Sequence, residues 1–332
     1  MIKLSQTHKD AIRIALIITI SMLIGKFCNF HSPVYFALYP CIIATKIKDY
    51  SWRGLVKTLL PTLIAATGAL LVVEFFSTHP FIMWTLTLLM IDFMRKKANT
   101  AIKRAGLIMP MFNWILIVIF AQQTSIDLPT NLYNIMAASI TTIMLTKLMV
   151  KILPPAKHKF VAPKIEPVTY QQRFIAVTSI GLGCAILMNI NLLSATFCLV
   201  PVIIAVSQPS LEQFHTVVKQ RFITQLGGCA IAVLFAFAMM GQQQHIVLYG
   251  VTLLALLIFM STMFVRSDIS MKDIHSDAML ATVLPIQLYI TPTDMGIQNS
   301  LMRGWELAVT LAILLTIYFI VKPKNQRLYV NH

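Results

Sequence analysis

Four basic residues form two matched pairs along this chain: Arg13 with Lys57, and Arg173 with Lys219. Each pair flanks apolar sequence. An organic anion is costly in hydrocarbon unless charge or donors meet it, so these residues are candidates for collecting an anionic solute at a membrane mouth. The competing reading has them anchor helix ends by snorkelling to lipid phosphates. Carboxylates within the apolar runs are few. Asp92 is the candidate for proton coupling, because a carboxylate in hydrocarbon can exchange a proton near neutral pH; the alternative is an ion pair with the adjacent Arg95-Lys96-Lys97. Glu74 and Glu306 lie near predicted helix ends and read as interfacial. Pro40 and Pro201 each free a carbonyl one turn back. They either unwind a segment that lines a path or merely kink a helix. Asn113 and Gln287 follow Pro110 and Pro285, where a buried amide touches solute or bonds across helices.

Other chemistries lack their residues. There is no GxxxxGK[ST] phosphate loop, no HExxH, no GxSxG and no CxxC pair. The five cysteines (Cys28, Cys41, Cys184, Cys198 and Cys229) fall in or beside apolar segments and read as small hydrophobes. No two of the eight histidines have metal-ligand spacing. The expectation is therefore a protein that is not an enzyme, with no cofactor and no metal, in which any transport is driven by a gradient or a partner. The stretch Lys46 to Lys57 also lacks the Gly/Asp/Arg signature of the major facilitator class.

The elements that must hold these residues are membrane helices. Of 332 residues, 57% are apolar and 12% charged, and the mean hydropathy is +0.76. Soluble domains carry roughly 25% charge. Spans are expected at 11–30, 33–47, 54–76, 80–94, 105–121 and 132–153, then at 174–190, 193–207, 222–241, 246–265, 278–291 and 304–321. The first reads as a permanent helix, since no small-residue cleavage site follows it. The second, fourth, eighth and eleventh are short for a crossing that needs about 20 residues, so tilted, kinked or broken helices are expected there.

The formal charge of +15 could suggest nucleic acid, but its placement points to membrane topology. Basic residues crowd the N-terminus and alternate connectors, whereas the opposite connectors hold essentially Lys26 and Arg303. Positive charge stays inside, so both termini are expected in the cytoplasm, and no nucleic-acid partner is expected.

The second half repeats the first. Phe36-Ala-Leu-Tyr-Pro40-Cys-Ile-Ile-Ala44 aligns with Phe197-Cys-Leu-Val-Pro201-Val-Ile-Ile-Ala205, identical at six of nine positions. Val56-Lys57 matches Val218-Lys219, Thr87-Leu88-Leu89 matches Thr252-Leu253-Leu254, and Pro110 matches Pro285. The fold expected is an all-α polytopic membrane protein of about twelve transmembrane helices in two parallel six-helix repeats. Residues 1–153 form the first repeat, 154–172 a cytoplasmic linker, and 173–332 the second. Two halves of six helices each begin on the same side, so they are related by a pseudo-two-fold axis along the membrane normal. The small-residue stretches Ala65 to Ala69 and Gly227 to Ala232 read as close-packing faces.

In the first half, Arg13, a short Pro40 helix ending near Ala44, and Arg53-Gly54-Leu-Val-Lys57 lead into Thr62 and Ala65-Ala66-Thr67-Gly68-Ala69. The second half offers Arg173, Pro201, Lys219, Arg221 and Thr224 before Gly227-Gly228-Cys229-Ala230. This doubled pattern resembles the fusaric acid resistance and aromatic acid exporter family of bacterial inner-membrane proteins. The resemblance implies efflux of small organic, often aromatic, acids with a periplasmic adaptor protein and an outer-membrane channel. Plant anion channels of the malate type are similar in using six helices per half. The chain departs from many such exporters in having only a nineteen-residue linker where they carry a large cytoplasmic domain. The rival expectations are an uncoupled anion channel and a non-transporting membrane scaffold subunit.

Overall fold

The computed structural model describes residues 5–28, 30–123, 128–156, 165–189, 194–242, 244–291 and 294–321. Twelve α-helices and one short 3₁₀ helix occur among them: α1 (Gln6–Phe27), α2 (Tyr35–Lys46), α3 (Trp52–Phe76), α4 (Pro80–Lys97), α5 (Ala101–Gln123), α6 (Leu128–Ile152), α7 (Tyr170–Asn189), the 3₁₀ helix Ser194–Cys198, α8 (Leu199–Val206), α9 (Leu211–Ala238), α10 (Ile246–Arg266), α11 (Ile269–Tyr289) and α12 (Ile297–Val321). Extended pairing among the described residues is confined to an isolated bridge between Thr100 and Ile165.

Seven of the described helices are long and apolar enough to cross a membrane: α3, α5, α6, α7, α9, α10 and α12. Two others, α2 and α8, are only 12 and 8 residues long. At 1.5 Å per residue neither reaches across a hydrocarbon layer of about 30 Å. The remaining three have the length but carry charge. Helix α1 holds Lys9, Asp10, Arg13 and Lys26; α4 holds Asp92, Arg95, Lys96 and Lys97; α11 holds Lys272, Asp273 and Asp277.

Burial along the long helices fits lipid as their solvent. On α3, Leu55, Leu59, Thr62, Ala65, Ala66, Ala69 and Val73 are buried, while Trp52, Val56, Leu60, Ile64, Leu71 and Phe75 are exposed. An exposed apolar stripe along a whole helix is foreign to soluble monomers. The short helices are the reverse: nearly every residue of α2 and α8 is buried, which places them inside protein rather than against lipid.

The helices gather into two compact units. The first contains α1, α2, α6, α10 and α11, with α3 through Leu63, α9 from Thr224 and α12 through Gly304. Within it α1 packs on α10, α2 and α6, and α2 also packs on α6 and α11. The second contains α4, α5, α7 and α8, with the other parts of α3, α9 and α12. There α4 packs on α7 and α5, while α8 packs on α7 and α5. Each unit draws helices from both halves of the chain. The division of the chain in space thus differs from the division into two halves expected from the sequence.

Some element ends differ from those expected. Helix α9 begins at Leu211 rather than near 222, and α11 at Ile269 rather than near 278. In both cases a charged first turn that hydropathy assigns to a connector is helical. Helix α3 is capped by its preceding loop. The Ser51 hydroxyl accepts from Gly54 N at 3.0 Å, and the Asp49 carboxylate accepts from Ser51 N at 3.0 Å. Gly54 has a reason to be glycine, because a Cβ there would overlap the Asp49 carboxyl group. Hydrogen bonding from Ser51 holds that carboxyl below the usual carboxylate range.

Candidate functional site

In the first unit the matched prolines have a local meaning. Helix α2 runs as helix through Pro40, which leaves the Phe36 carbonyl without its usual donor. Gly25 on α1 lies so close to Phe36 that a Cβ would overlap it. Pro285 similarly frees the Ala281 carbonyl of α11. Gly228 on α9 comes so near the Ala281 and Thr282 backbone that a Cβ would overlap it. Gln287, 3% exposed, donates its amide to Met22 O of α1 at 3.2 Å, and among the described residues its buried Oε1 accepts no hydrogen bond.

Two charged groups that sequence reasoning passed over lie between α2 and α11. Lys46 Nζ meets Asp277 Oδ1 at 2.9 Å, with side chains only 23% and 11% exposed. One residue back on each helix, Ser276 Oγ donates to Thr45 Oγ1 at 3.1 Å. The expected span 278–291 began one residue after Asp277, and so hid it.

Arg13 is already engaged. It is 4% exposed, its guanidinium meets Asp10 at 2.6 Å and donates to Leu153 O at 3.2 Å, and it lies 5.5 Å from the Tyr50 ring. Burial pushes the Tyr50 phenol up. Lys57 is exposed, so the pair expected at the mouth comprises one buried, occupied arginine and one exposed lysine.

In the second unit Asp92 finds a partner other than its sequence neighbours. Arg173 of α7 grips it with two nitrogens, Nε at 2.8 Å from Oδ1 and the terminal nitrogen on Oδ2. Two sequence candidates, one from each half of the chain, thus sit together. Arg95 is 2% exposed and donates to Gln208 O at 3.4 Å. Lys219 is exposed. Pro201 sits in the first turn of α8, where a missing N–H costs nothing, just after the 3₁₀ stretch. Asn113 is fully buried and returns its amide to Met109 O at 2.9 Å. Two indoles of this unit tie helices together: Trp84 donates to Gly181 O at 2.8 Å and Trp114 to Thr87 Oγ1 at 3.1 Å. Glu74 is exposed and Glu306 half-buried. Among the described residues no three His, Cys, Asp or Glu side chains gather as a metal ion would need.

At one end of α1, Lys26 lines a cleft of about 280 Å³ with Gly25, Phe30, His31, Gln287 and Thr291. Its ammonium donates to Ile290 O at 2.8 Å and lies 3.9 Å from the centre of the Tyr249 ring. The signal for it was present in the sequence, where Lys26 stands against the alternation of charge.

Comparisons with known proteins bear on the first half of the chain. No curated protein and no solved structure matches the chain. Residues 10–149 match a family model described as "Protein of unknown function (DUF2955)", a stretch that begins in α1 and ends in α6.

Proposed function

We propose that the chain is an inner-membrane exporter of small organic acids, aromatic ones among them. On this reading it has twelve membrane helices in two parallel six-helix repeats, with both termini in the cytoplasm. It is not an enzyme, and it works with a periplasmic adaptor and an outer-membrane channel, driven by a gradient.

The observation that carries the reading is the pair α2 and α8. Both are short, proline-bearing and buried on nearly all sides, and they occupy corresponding places in the two halves. Such paired interrupted segments are the best pointer to the binding region of a repeat-built transporter. Their neighbours correspond as well. Helix α2 touches α1 and α11, and α8 touches α7 and α5, which exchange under the repeat α1/α7 and α5/α11. The matched family model supports a six-helix block, since its limits fall in α1 and α6.

A second reading, an uncoupled anion channel, draws support from Asp92. Its bidentate pairing with Arg173 occupies the carboxylate that a proton carrier has to release.

The test is uptake of labelled 4-hydroxybenzoate into everted membrane vesicles, with and without a protonophore. Chain-dependent uptake that collapses with the protonophore supports coupled export. Chain-dependent flux that follows only the substrate gradient supports the channel. No flux over a panel of organic acids overturns both.

A further inference from the structure

In its last two turns α6 carries Lys147 and Lys151, four positions apart and therefore neighbours on the helix surface. Like charges at this spacing repel, and among the described residues neither lysine forms an ion pair. Two other cations of the same unit do have carboxylates, Arg13 in Asp10 and Lys46 in Asp277. Asp49 feels the charges of Lys147 and Lys57, but its carboxylate accepts from Ser51 N at 3.0 Å. An uncompensated pair of ammonium groups thus stands at the end of α6.

The surroundings of that pair supply independent observations. Lys147, Leu148, Val150 and Lys151 line a groove of about 450 Å³. Lys147 is half-buried and Lys151 exposed, so both side chains open onto it. The Lys147 ammonium donates to Tyr50 O at 3.4 Å and lies 5.7 Å from the Trp52 ring, two weak contacts that position the charge without neutralising it. Trp52 opens α3 and is exposed, and an indole so placed marks the headgroup level of a bilayer. Deeper along the same helices the surface is bare hydrocarbon, with Met144 and Leu148 exposed on α6 and Val56 and Leu60 on α3. The end of α6 is tied to α1, because Gln6 donates to Pro154 O at 3.0 Å and Arg13 to Leu153 O at 3.2 Å. The lysines therefore sit on a fixed frame.

We infer that this groove seats one anionic phospholipid, with its phosphate diester on Lys147 and Lys151, its glycerol level with Trp52, and an acyl chain along Met144 and Leu148. Basic pockets beside membrane helices hold lipid headgroups by this chemistry. A soluble phosphate would use the two ammonium groups and leave the apolar face bare, whereas a lipid uses both. Charge complementarity selects an anionic headgroup over a zwitterionic one, whose own cation competes for the phosphate. The site stands whatever solute the chain carries, because it depends only on the chain lying in a bilayer.

The experiment is native mass spectrometry of the full chain in detergent, titrated with phosphatidylglycerol and with phosphatidylcholine of the same acyl chains. The wild type should prefer its first phosphatidylglycerol by about 25-fold, about fivefold for each lysine that meets the phosphate. Lys147→Gln with Lys151→Gln should erase that preference, and the matching pair of arginine substitutions should keep it. Lys96→Gln with Lys97→Gln removes the same charge from α4 and should leave the preference intact. Unchanged thermal unfolding identifies variants that have kept their fold. If the glutamine pair unfolds, Leu148→Glu, which sets a carboxylate between the lysines, should erase the preference in its place. A preference that survives in either of these variants overturns the site. An equal loss from the α4 substitutions also overturns it, since net charge alone would then explain the binding. Excess glycerol phosphate should fail to displace the lipid; displacement one for one would reveal a soluble-phosphate site and overturn the lipid assignment.

Discussion

Breaking the Lys46–Asp277 pair should destabilise the first unit, and breaking both partners together should cost less than the two single losses combined. The groups stand 2.9 Å apart with side chains 23% and 11% exposed. At an effective dielectric of about 20 their attraction is roughly 6 kcal/mol before desolvation is subtracted. Truncating one partner leaves the other charge enclosed between α2 and α11. Stranded charges of this kind cost about 3–5 kcal/mol when fully buried, and the residual exposure places this pair near the lower figure. Lys46→Met and Asp277→Asn should each cost about 3 kcal/mol, whereas the double variant, with no stranded charge, should lose about 1–2 kcal/mol. The assay is thermal unfolding of the purified chain in detergent, where 1 kcal/mol corresponds to a shift of roughly 2 °C for a protein of this size. Single variants then melt about 6 °C lower and the double variant recovers part of that loss. A double variant equal to the sum of the singles means no coupling, and would refute the idea that these charges sustain one another.

Three further outcomes are expected. Gly228→Ala places a Cβ into the α11 backbone whereas Gly227→Ala places one in open space; the first should cost about 2 kcal/mol and the second should be neutral or gain a few tenths, read by thermal unfolding of the two variants side by side. Cys28 is exposed while Cys41, Cys184, Cys198 and Cys229 are buried, so a membrane-impermeant maleimide added to intact cells should label one site, lost in Cys28→Ser; labelling only after lysis would invert the proposed orientation. The Asp49 carboxyl is held low by Ser51, so its stabilising effect is present above the unfolded value near 3.9 and is lost as pH falls through the lower folded value. The stability gap between the wild type and Asp49→Ala should be open at about pH 7 and close below about pH 4.

The helical, lipid-facing character of the chain was legible because it depends on composition and on runs of about 20 apolar residues, which survive any detail of packing. Of the four spans expected to be short, α2 and α8 are short at 12 and 8 residues, whereas α4 and α11 reach 18 and 21 because each continues through a charged turn that hydropathy leaves out. Partnerships were harder to read. Asp92 has three basic neighbours within five positions, yet it pairs with Arg173, 81 residues away. Arg95 and Lys96 stand three and four residues on, the spacings that face Asp92 on a helix, but Arg95 donates to Gln208 O instead and the packing of α4 on α7 brings Arg173 to the carboxylate. Asp277 was missed because a hydropathy window begins a helix where charge ends, while the backbone continues through a charged turn. The sequence left Arg13 either at a solute mouth or as a helix-end anchor, and only its folded neighbours Asp10, Leu153 and Tyr50 show how it is engaged. The interleaving of the halves into two units has no local signature, since it depends on which helices meet after the chain has returned on itself.

Efflux of labelled 4-hydroxybenzoate from proteoliposomes containing only the purified chain tests the central claim most directly. A saturable efflux that exceeds that from empty liposomes, and that unlabelled substrate inhibits, is the predicted result. Efflux equal to that from empty liposomes across hydroxylated and plain aromatic acids would contradict the claim that this fold carries organic anions across a membrane.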